Sequence, residues 1–426
     1  MIPDQFLQAS NLRREGKRLY MEDVRLDLIA REAGTPVYVY SRSVIQDKWC
    51  RFDTAFGDRS HLVCYAVKAC SNIAVLSLLS ELGSGFDIVS GGELERVLKV
   101  NANPSKIFFS GVGKQAYEIE QALQADIGFF NVESASELDL LMQKSTSLGC
   151  KASVAVRVNP DVDVNTHPHI ATGRYCDKFG VSFDIAQQMY EQIRQHSLLE
   201  GVGIDCHIGS QITDPAIYGK ALEQVIDFAD GLRANGHPIS HIDIGGGFAI
   251  SYDGASVPPI EDYINVINRL VGERDYKIVI EPGRSIVGDA GIILTEVLYI
   301  KAAPEKNFII VDVAMNDLIR PALYQAHHCI APLETSTATP VSYDVVGPVC
   351  ESGDTLATDC SLNSREGDVV AVLSAGAYGF SMASNYNSRP RPAEVIVDGS
   401  DWHIVRLRES VADMINGECT LPNGLD

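Results

Sequence analysis

The chain has 426 residues, 46% hydrophobic and 21% charged, which is long enough for two globular domains and too rich in apolar residues for a disordered protein. Lys and Arg number 35 against 56 Asp and Glu, and the resulting formal charge of −21 repels polyanions, so nucleic acid is excluded as an expected partner. No apolar run reaches the ~18 residues of a membrane span, and the opening stretch MIPDQFLQASNLRREGKRLYMED has no apolar core that could act as a signal peptide, so a cytoplasmic protein without a membrane partner is expected.

In chain order the first clear element is TPVYVYS (35–41), a strand that precedes the regular part of the chain and is expected to join a β-rich domain further on. Between residues 61 and 284, β-branched and aromatic runs alternate with amphipathic stretches. The strands are LVCYAV, GFDIVS, KIFFSG, IGFFNV, SVAVRV, GVGIDCHIG, HIDIGGG and KIVIEPG, with helical patterns such as NIAVLSLLSEL, GELERVLKV, ELDLLMQKS and YINVINRLV between them. Strands and helices alternating at this spacing imply parallel strands with crossovers, and eight units fit a closed (β/α)8 barrel better than an open sheet. The stretch DVDVNTHPHIATGRYCDKFG (161–180), after the fifth strand, is long enough to form a flap over the barrel mouth.

Beyond residue 290 the helical spacing stops, and ILTEVLYI, NFIIVDV, VSYDVVG, DVVAVLS, AEVIVDG and HIVRLRE read as strands. The expected fold class is therefore α/β plus β. Residues 1–42 contribute to the β-domain, 43–288 form the barrel and 289–426 form the C-terminal β-rich domain.

A barrel of this kind carries its chemistry at the C-terminal ends of its strands. Those ends hold Lys68, Asp87, Ser110, Arg157, His207, the glycines 245–247 and Glu281. Lys68 closes CYAVKA, where a desolvated amine can form a Schiff base with an aldehyde, although a lysine snorkelling to the surface has the same local sequence. HIDIGGGF and EPGRS end the seventh and eighth strands, where this fold most often binds phosphate because glycine lets backbone N–H groups approach an anion.

Glu281 then lies beside a phosphate with Arg284 as its only apparent basic partner, which is unfavourable unless the ligand also carries a cation; pyridoxal phosphate offers one at its pyridine nitrogen. His207 of CHIGSQ is placed to lie against such a ring, with Ser210 near the phosphate, and is otherwise a structural histidine. No metal is expected, because HPH (167–169) falls in a polar loop and the pair at 327–328 on an expected helix, neither with ligand spacing. Ten cysteines, at 50, 64, 70, 150, 176, 206, 329, 350, 360 and 419, form no CxxC pair, and most are expected to be reduced, buried apolar residues.

Seven stretches carry a resemblance: YAVKACSNIAVLSLLSELGSGFDIVSGGELERVL, HIGSQI, DIGGGF, EPGRSIVGDAG, AMNDLIRPALY, GPVCESGD and AGAYGFSMASNYNSRPRPAEV. In this order, from about residue 63 to 395, they resemble the bacterial diaminopimelate decarboxylases of the alanine-racemase-like, fold-type III group of pyridoxal-phosphate enzymes. The resemblance implies pyridoxal 5'-phosphate as cofactor and conversion of meso-2,6-diaminopimelate to L-lysine and CO2, the last step of lysine biosynthesis. It also implies a homodimer whose active sites are shared across the interface.

Carried over by position, Lys68 holds the cofactor, His207 stacks on its ring and Glu281 pairs with the pyridine nitrogen. Ser210, Gly246, Gly247, Gly283 and Arg284 lie around the phosphate, and Tyr378 closes the cofactor site. Arg284, Arg320 and Tyr324 take the retained carboxylate, Glu351 takes the distal amine and Tyr378 is a further substrate contact. Cys350 and Glu351 come from the partner subunit. A thiol of ordinary pKa near 8.5 is mostly protonated at neutral pH yet can give its proton up, which suits Cys350 to protonate the carbanion.

Two positions depart from the family pattern: Cys70 stands where Asn is usual, and Asp205 precedes CHIGSQ where the family commonly has HFHIGSQ. Carboxynorspermidine decarboxylase is the nearer competing reading, whereas ornithine and arginine decarboxylases bind a purely cationic tail that an arginine would repel. A non-catalytic decarboxylase-like regulator is expected to lack Lys68 or Cys350. A single-barrel pyridoxal-phosphate carrier lacks the β-domain, and a racemase of this fold is expected to place a basic residue at the ring nitrogen.

Overall fold

The computed structural model describes residues 4–161 and 178–421, so most of the expected flap, the HPH run and Cys176 lie outside the described residues. The chain folds as two units, one made of residues 44–288 and the other of residues 1–43 together with 289–426.

The first unit is a closed barrel of eight parallel strands. In chain order they are β1 (His61–Ala66), β2 (Gly85–Ile88), β3 (Ile107–Phe109), β4 (Phe129–Val132), β5 (Ala152–Arg157), β6 (Leu199–Asp205), β7 (His241–Asp243) and β8 (Lys277–Ile280), with β8 closing on β1. The strands are buried on both faces, since helices cover the outside and side chains fill the inside, and this is why they read as continuous apolar runs. The helices match: Ile260–Val271 buries Ile260, Tyr263, Ile264, Ile267 and Val271, one face at helical spacing. Ser90 and Ser134 cap the N-termini of Gly91–Lys99 and Ala135–Leu148 through their side chains.

Strand periodicity sets what the barrel holds. Leu62, Cys64, Phe108, Phe129, Ala155 and Val279 form one apolar cluster across β1, β3, β4, β5 and β8. Two residues further along, on the same face of their strands, stand Arg157 and Glu281, while Asp205 and Asp243 lie level with Arg157 in the ladder of β5, β6 and β7. A charged layer therefore sits directly above an apolar one.

In the second unit Val37–Ser41 lies inside a nine-stranded sheet, antiparallel to Gly291–Ala302 and parallel to Ala393–Asp398. The core beneath it includes Met21, Leu26, Ile29, Val39, Leu294, Leu373 and Val395. Thr355–Leu362 pairs with Val341–Val346 but escaped the sequence reading, because TLATDCSL is half polar and its buried and exposed positions do not alternate. The small sheet over residues 12–25 and the strand Ile330–Pro332 were missed as well.

Two expectations need correction. The pair His327 and His328 is not helical: the helix Arg320–Tyr324 stops at Gln325, whose left-handed backbone ends it, and His328 is buried beyond that end. Nor are most cysteines buried; of the nine described, Cys64, Cys70 and Cys206 are, while Cys350 and Cys419 are exposed and the rest lie between. Among the described residues no helix is long and apolar enough to cross a membrane.

Candidate active site

Lys68 follows β1 in a single 3-10 turn, Val67–Ala69, and its Nζ donates to Asp87 Oδ2 at 2.7 Å. Asp87, on β2, has no exposed surface. At the other side of the barrel Arg157 is buried between Glu133, 3.1 Å from its Nη1, and Asp205, 3.8 Å from its Nε. Glu133 also accepts the backbone N–H groups of Gly111 and Gly180, so this carboxylate is fully engaged.

Asp205, Asp243 and Glu281 come from β6, β7 and the residue after β8, and their nearest oxygens all lie within 4.8 Å of one another. The sequence reading found no such set because the three residues are scattered over 77 positions and meet only when adjacent strands align. Burial first, then the charges of Asp243, Asp87 and Asp205, push the Glu281 carboxyl well above the usual range, against the pull of Lys68. Asp205 is pushed up to about 7 by burial, against Arg157, and Asp243 rises from burial and from Asp205. The cluster holds more carboxyl groups than Lys68 and Arg157 can balance.

That excess is the test of fit for a cofactor. Glu281 Oε1, Asp243 Oδ2, Asp205 Oδ1 and Asp87 Oδ1 are buried without a hydrogen-bond partner among the described residues. Buried acceptors of this kind call for a donor, preferably cationic. A protonated pyridine nitrogen meets the requirement.

The opposite requirement appears at Arg284, the first residue of the short helix Arg284–Val287. Its Nη1 donates to Tyr252 Oη at 2.6 Å and its Nη2 to Ser210 Oγ at 3.0 Å, which gathers a guanidinium and two hydroxyls where an anion can be held. Arg284 thus points to Ser210 and Tyr252, and Tyr252 is a residue the sequence reading missed. It lies in a polar loop with no motif to mark it.

The glycines beside these groups are dictated by space. At Gly245, φ +68°, an added Cβ would stand 2.9 Å from His207 Cβ. At Gly247, φ +96°, it would stand 2.2 Å from the Gly209 carbonyl oxygen. The third glycine, Gly246, faces the Glu281 carbonyl, while Gly283 faces Ala66 and Ala69 beside Lys68, so no side chain fits there. His207 is held far below its ordinary pKa by burial, helped by Arg157 and Lys68, and is a neutral imidazole. Glu93 was also missed: it caps its own helix by accepting the Val89 N–H at 2.7 Å, lies in the field of Lys68, and burial pushes it up to about 7.

The remaining expected residues belong to the β-rich unit. Arg320 is buried and its Nη1 lies 3.0 Å from His328 Nε2, while His328 Nδ1 lies 2.9 Å from the Leu373 carbonyl. A carbonyl only accepts, so Nδ1 carries the proton and Nε2 accepts from Arg320, which fixes a neutral histidine behind the guanidinium. Tyr324 ends the same helix half-buried, and Tyr378 is held at φ +55°.

The run GPVCESGD is a clip. Asp354 Oδ1 accepts from Met315 N at 2.7 Å and Oδ2 from Val349 N at 2.8 Å, and its backbone pairs with Gly347 and Glu351. Cys350 and Glu351 stand exposed at its crest. Cys350 N and Sγ are each 3.4 Å from Asn387 Oδ1, and Tyr386 Oη donates to Glu351.

Residues 42–288 match the family model described as pyridoxal-dependent decarboxylase, pyridoxal binding domain. The diaminopimelate decarboxylase of Pseudomonas aeruginosa is 50% identical over 404 residues, covering 95% of this chain and 97% of that one. That of Vibrio cholerae is 49% identical over 409 residues, covering 96% and 98%. Among solved structures, diaminopimelate decarboxylase from Helicobacter pylori complexed with L-lysine superposes with a TM-score of 0.89 at 42% identity, over 92% of this chain and 98% of that one. The enzyme from M. jannaschii, also with L-lysine, gives 0.93 at 35% identity, over 97% and 99%.

Proposed function

The chain belongs to the diaminopimelate decarboxylase family of pyridoxal-dependent decarboxylases, and from that premise we propose that it converts meso-2,6-diaminopimelate to L-lysine and CO2, closing lysine biosynthesis. The observation that carries the reading is the pairing of Lys68 with a buried carboxylate layer at one end of the barrel, in a chain that matches such decarboxylases over nearly its whole length.

When bound, pyridoxal phosphate supplies an electron sink for the pair left as CO2 departs. The residues do the rest. Lys68 would hold the group by its aldehyde and would give up that place to the substrate amine. Glu281 would pair with the pyridine nitrogen, whose positive charge meets the demand of three crowded carboxyls that burial and their mutual repulsion hold above the usual range. His207, neutral, covers a ring face without adding a competing cation. Arg284 and Ser210, with Gly246, Gly247 and Gly283, would take the phosphate, and Tyr378 would close the cofactor site.

The substrate's distal end carries both charges, so it needs an acid and a base. Arg284, Arg320 and Tyr324 take the retained carboxylate, Glu351 takes the distal amine, and Cys350 delivers the proton that replaces CO2. Cys350 and Glu351 serve the cofactor of a second copy of the chain, which makes the working enzyme a cytoplasmic homodimer. Following CO2 release from meso-diaminopimelate, carboxynorspermidine, ornithine and arginine tests the reading: the first is expected to be fastest, and faster release from any other would overturn the substrate.

A further inference from the structure

The stretch SNYNS, 384–388, has no task in the chemistry above, yet it makes the side-chain contacts to both residues at the crest of GPVCESGD. Asn387 and Tyr386 lie 37 and 35 positions from their partners, so the contacts are tertiary. All four side chains are exposed, Tyr386 to 45%, so burial does not account for the arrangement.

Both partners in this meeting are held from behind. The 347–354 clip hangs on Asp354. On the other side Asn387 has φ 55° and ψ 27°, and Ser388 is left-handed too. Asn tolerates that conformation better than most residues, and the turn is braced by Asn385 Nδ2 on Arg389 O at 3.1 Å and on Glu409 Oε2 at 2.8 Å. Arg389 Nε in turn donates to Asn316 Oδ1 at 3.0 Å.

Asn387 and Tyr386, we propose, are positioning residues: Asn387 holds Cys350 as a thiol ready to donate its proton, and Tyr386 aims Glu351 at the distal amine of the substrate. This rests on the function proposed above and assigns that site two further members. The chemistry of each contact is one-sided. A carboxamide oxygen only accepts, so it bonds Cys350 while the sulfur keeps its proton and repels the thiolate. A phenol donates to a carboxylate, and the hydrogen bond and charge of Glu351 hold the Tyr386 hydroxyl above its ordinary pKa, so it stays a donor. Glu351 and Tyr386 are the titratable groups that share the contact with Cys350.

Asn387→Gly keeps the left-handed backbone and removes only the carboxamide, whereas Asn387→Asp replaces it with an anion. The pH dependence of Cys350 alkylation by iodoacetamide, read by peptide mass spectrometry on apoprotein and on cofactor-loaded protein with exposed Cys419 as internal reference, is expected to move in opposite directions. Its midpoint falls in Asn387→Gly and rises in Asn387→Asp. In turnover, Asn387→Gly lowers kcat with little change in KM, while Tyr386→Phe raises KM for meso-diaminopimelate about tenfold and spares kcat.

Midpoints that coincide with that of the unaltered protein in both variants overturn the role of Asn387, and an unchanged KM in Tyr386→Phe overturns that of Tyr386. If the unaltered protein does not act on meso-diaminopimelate, the substrate reading fails and the Tyr386 role falls with it. The alkylation profile then still decides Asn387.

Discussion

Lys68 Nζ donates to Oδ2 of Asp87 across 2.7 Å, joining the turn after β1 to a carboxylate with no exposed surface. An amine that donates to a carboxylate has to be free of its extra proton before it can hold an aldehyde, and Asp87, at hydrogen-bond distance, is placed to take that proton. Lys68→Ala is expected to abolish the visible absorption of protein-bound pyridoxal phosphate and all turnover. Asp87→Asn keeps the absorption but lowers kcat, by about 100- to 10,000-fold on the usual scale of positioned proton transfer; unaltered kcat there removes Asp87 from the reaction.

The carboxylate layer makes a prediction about stability. Asp205 has its pKa raised from 3.8 to about 7 in the folded chain, so between those values the folded state binds a proton that the unfolded state has released. Its contribution is present in full below pH 4 and is lost as pH rises through 7. Melting of the apoprotein should therefore show stability declining over this window, by up to about 1.4 kcal/mol per pH unit for each such carboxyl. Asp205→Asn is expected to flatten the decline, and so is saturation with pyridoxal phosphate. A slope indifferent to both contradicts the crowded layer.

His207 is held neutral by burial and by the nearby Arg157 and Lys68, so its imidazole signals should show no titration between pH 5.5 and 8 when followed by NMR. If its role is to cover the ring, His207→Phe retains cofactor and His207→Ala loses affinity by up to about tenfold, the range of one aromatic stacking contact. Retention by Ala as strong as by Phe argues for a purely structural histidine.

Sharing of sites between copies can be tested by mixing. Lys68→Ala and Cys350→Ala proteins are each expected to be inactive, yet re-associated subunits should recover about a quarter of full activity, because half the dimers are mixed and each mixed dimer keeps one intact site. Sedimentation should show the dimer. No recovery in mixtures that demonstrably exchange subunits rules out the shared site.

Asp354 accepts two backbone N–H groups at 2.7 and 2.8 Å and is buried. Asp354→Ala leaves both donors unsatisfied, at a cost of about 1–3 kcal/mol each. A fall in melting temperature together with looser, faster alkylation of Cys350 is expected. A fall in melting temperature alone would mean that Asp354 staples the fold without orienting the thiol.

Much of this protein is legible in one dimension because strands and helices impose local periods. The eight barrel strands stand out as apolar runs buried on both faces, and their order along the chain dictates their order in the barrel. Elements with weak periodicity were lost, as TLATDCSL shows: an outer strand with exposed Thr358 and Asp359 carries little apolar signal. The helix expected at 327–328 failed for a different reason, since Gln325 turns left-handed and lets His328 fold back onto Arg320 and Leu373.

The sequence by itself determined the barrel, the β-rich domain, the family and the identity of Lys68, His207, Glu281 and Arg284 as strand-end residues, because each follows from short-range pattern or from contiguous motifs. Only the tertiary structure decided how charge is distributed around them. Asp205 was an unexplained departure from the family pattern, and Asp243 was one letter in HIDIGGGF; closure of the barrel sets them with Glu281 within 4.8 Å. Tyr386 and Asn387 were letters in a long motif until two braced turns brought them onto Glu351 and Cys350. A pKa or an aimed proton depends on distances between residues far apart in the chain, and those distances exist only after folding.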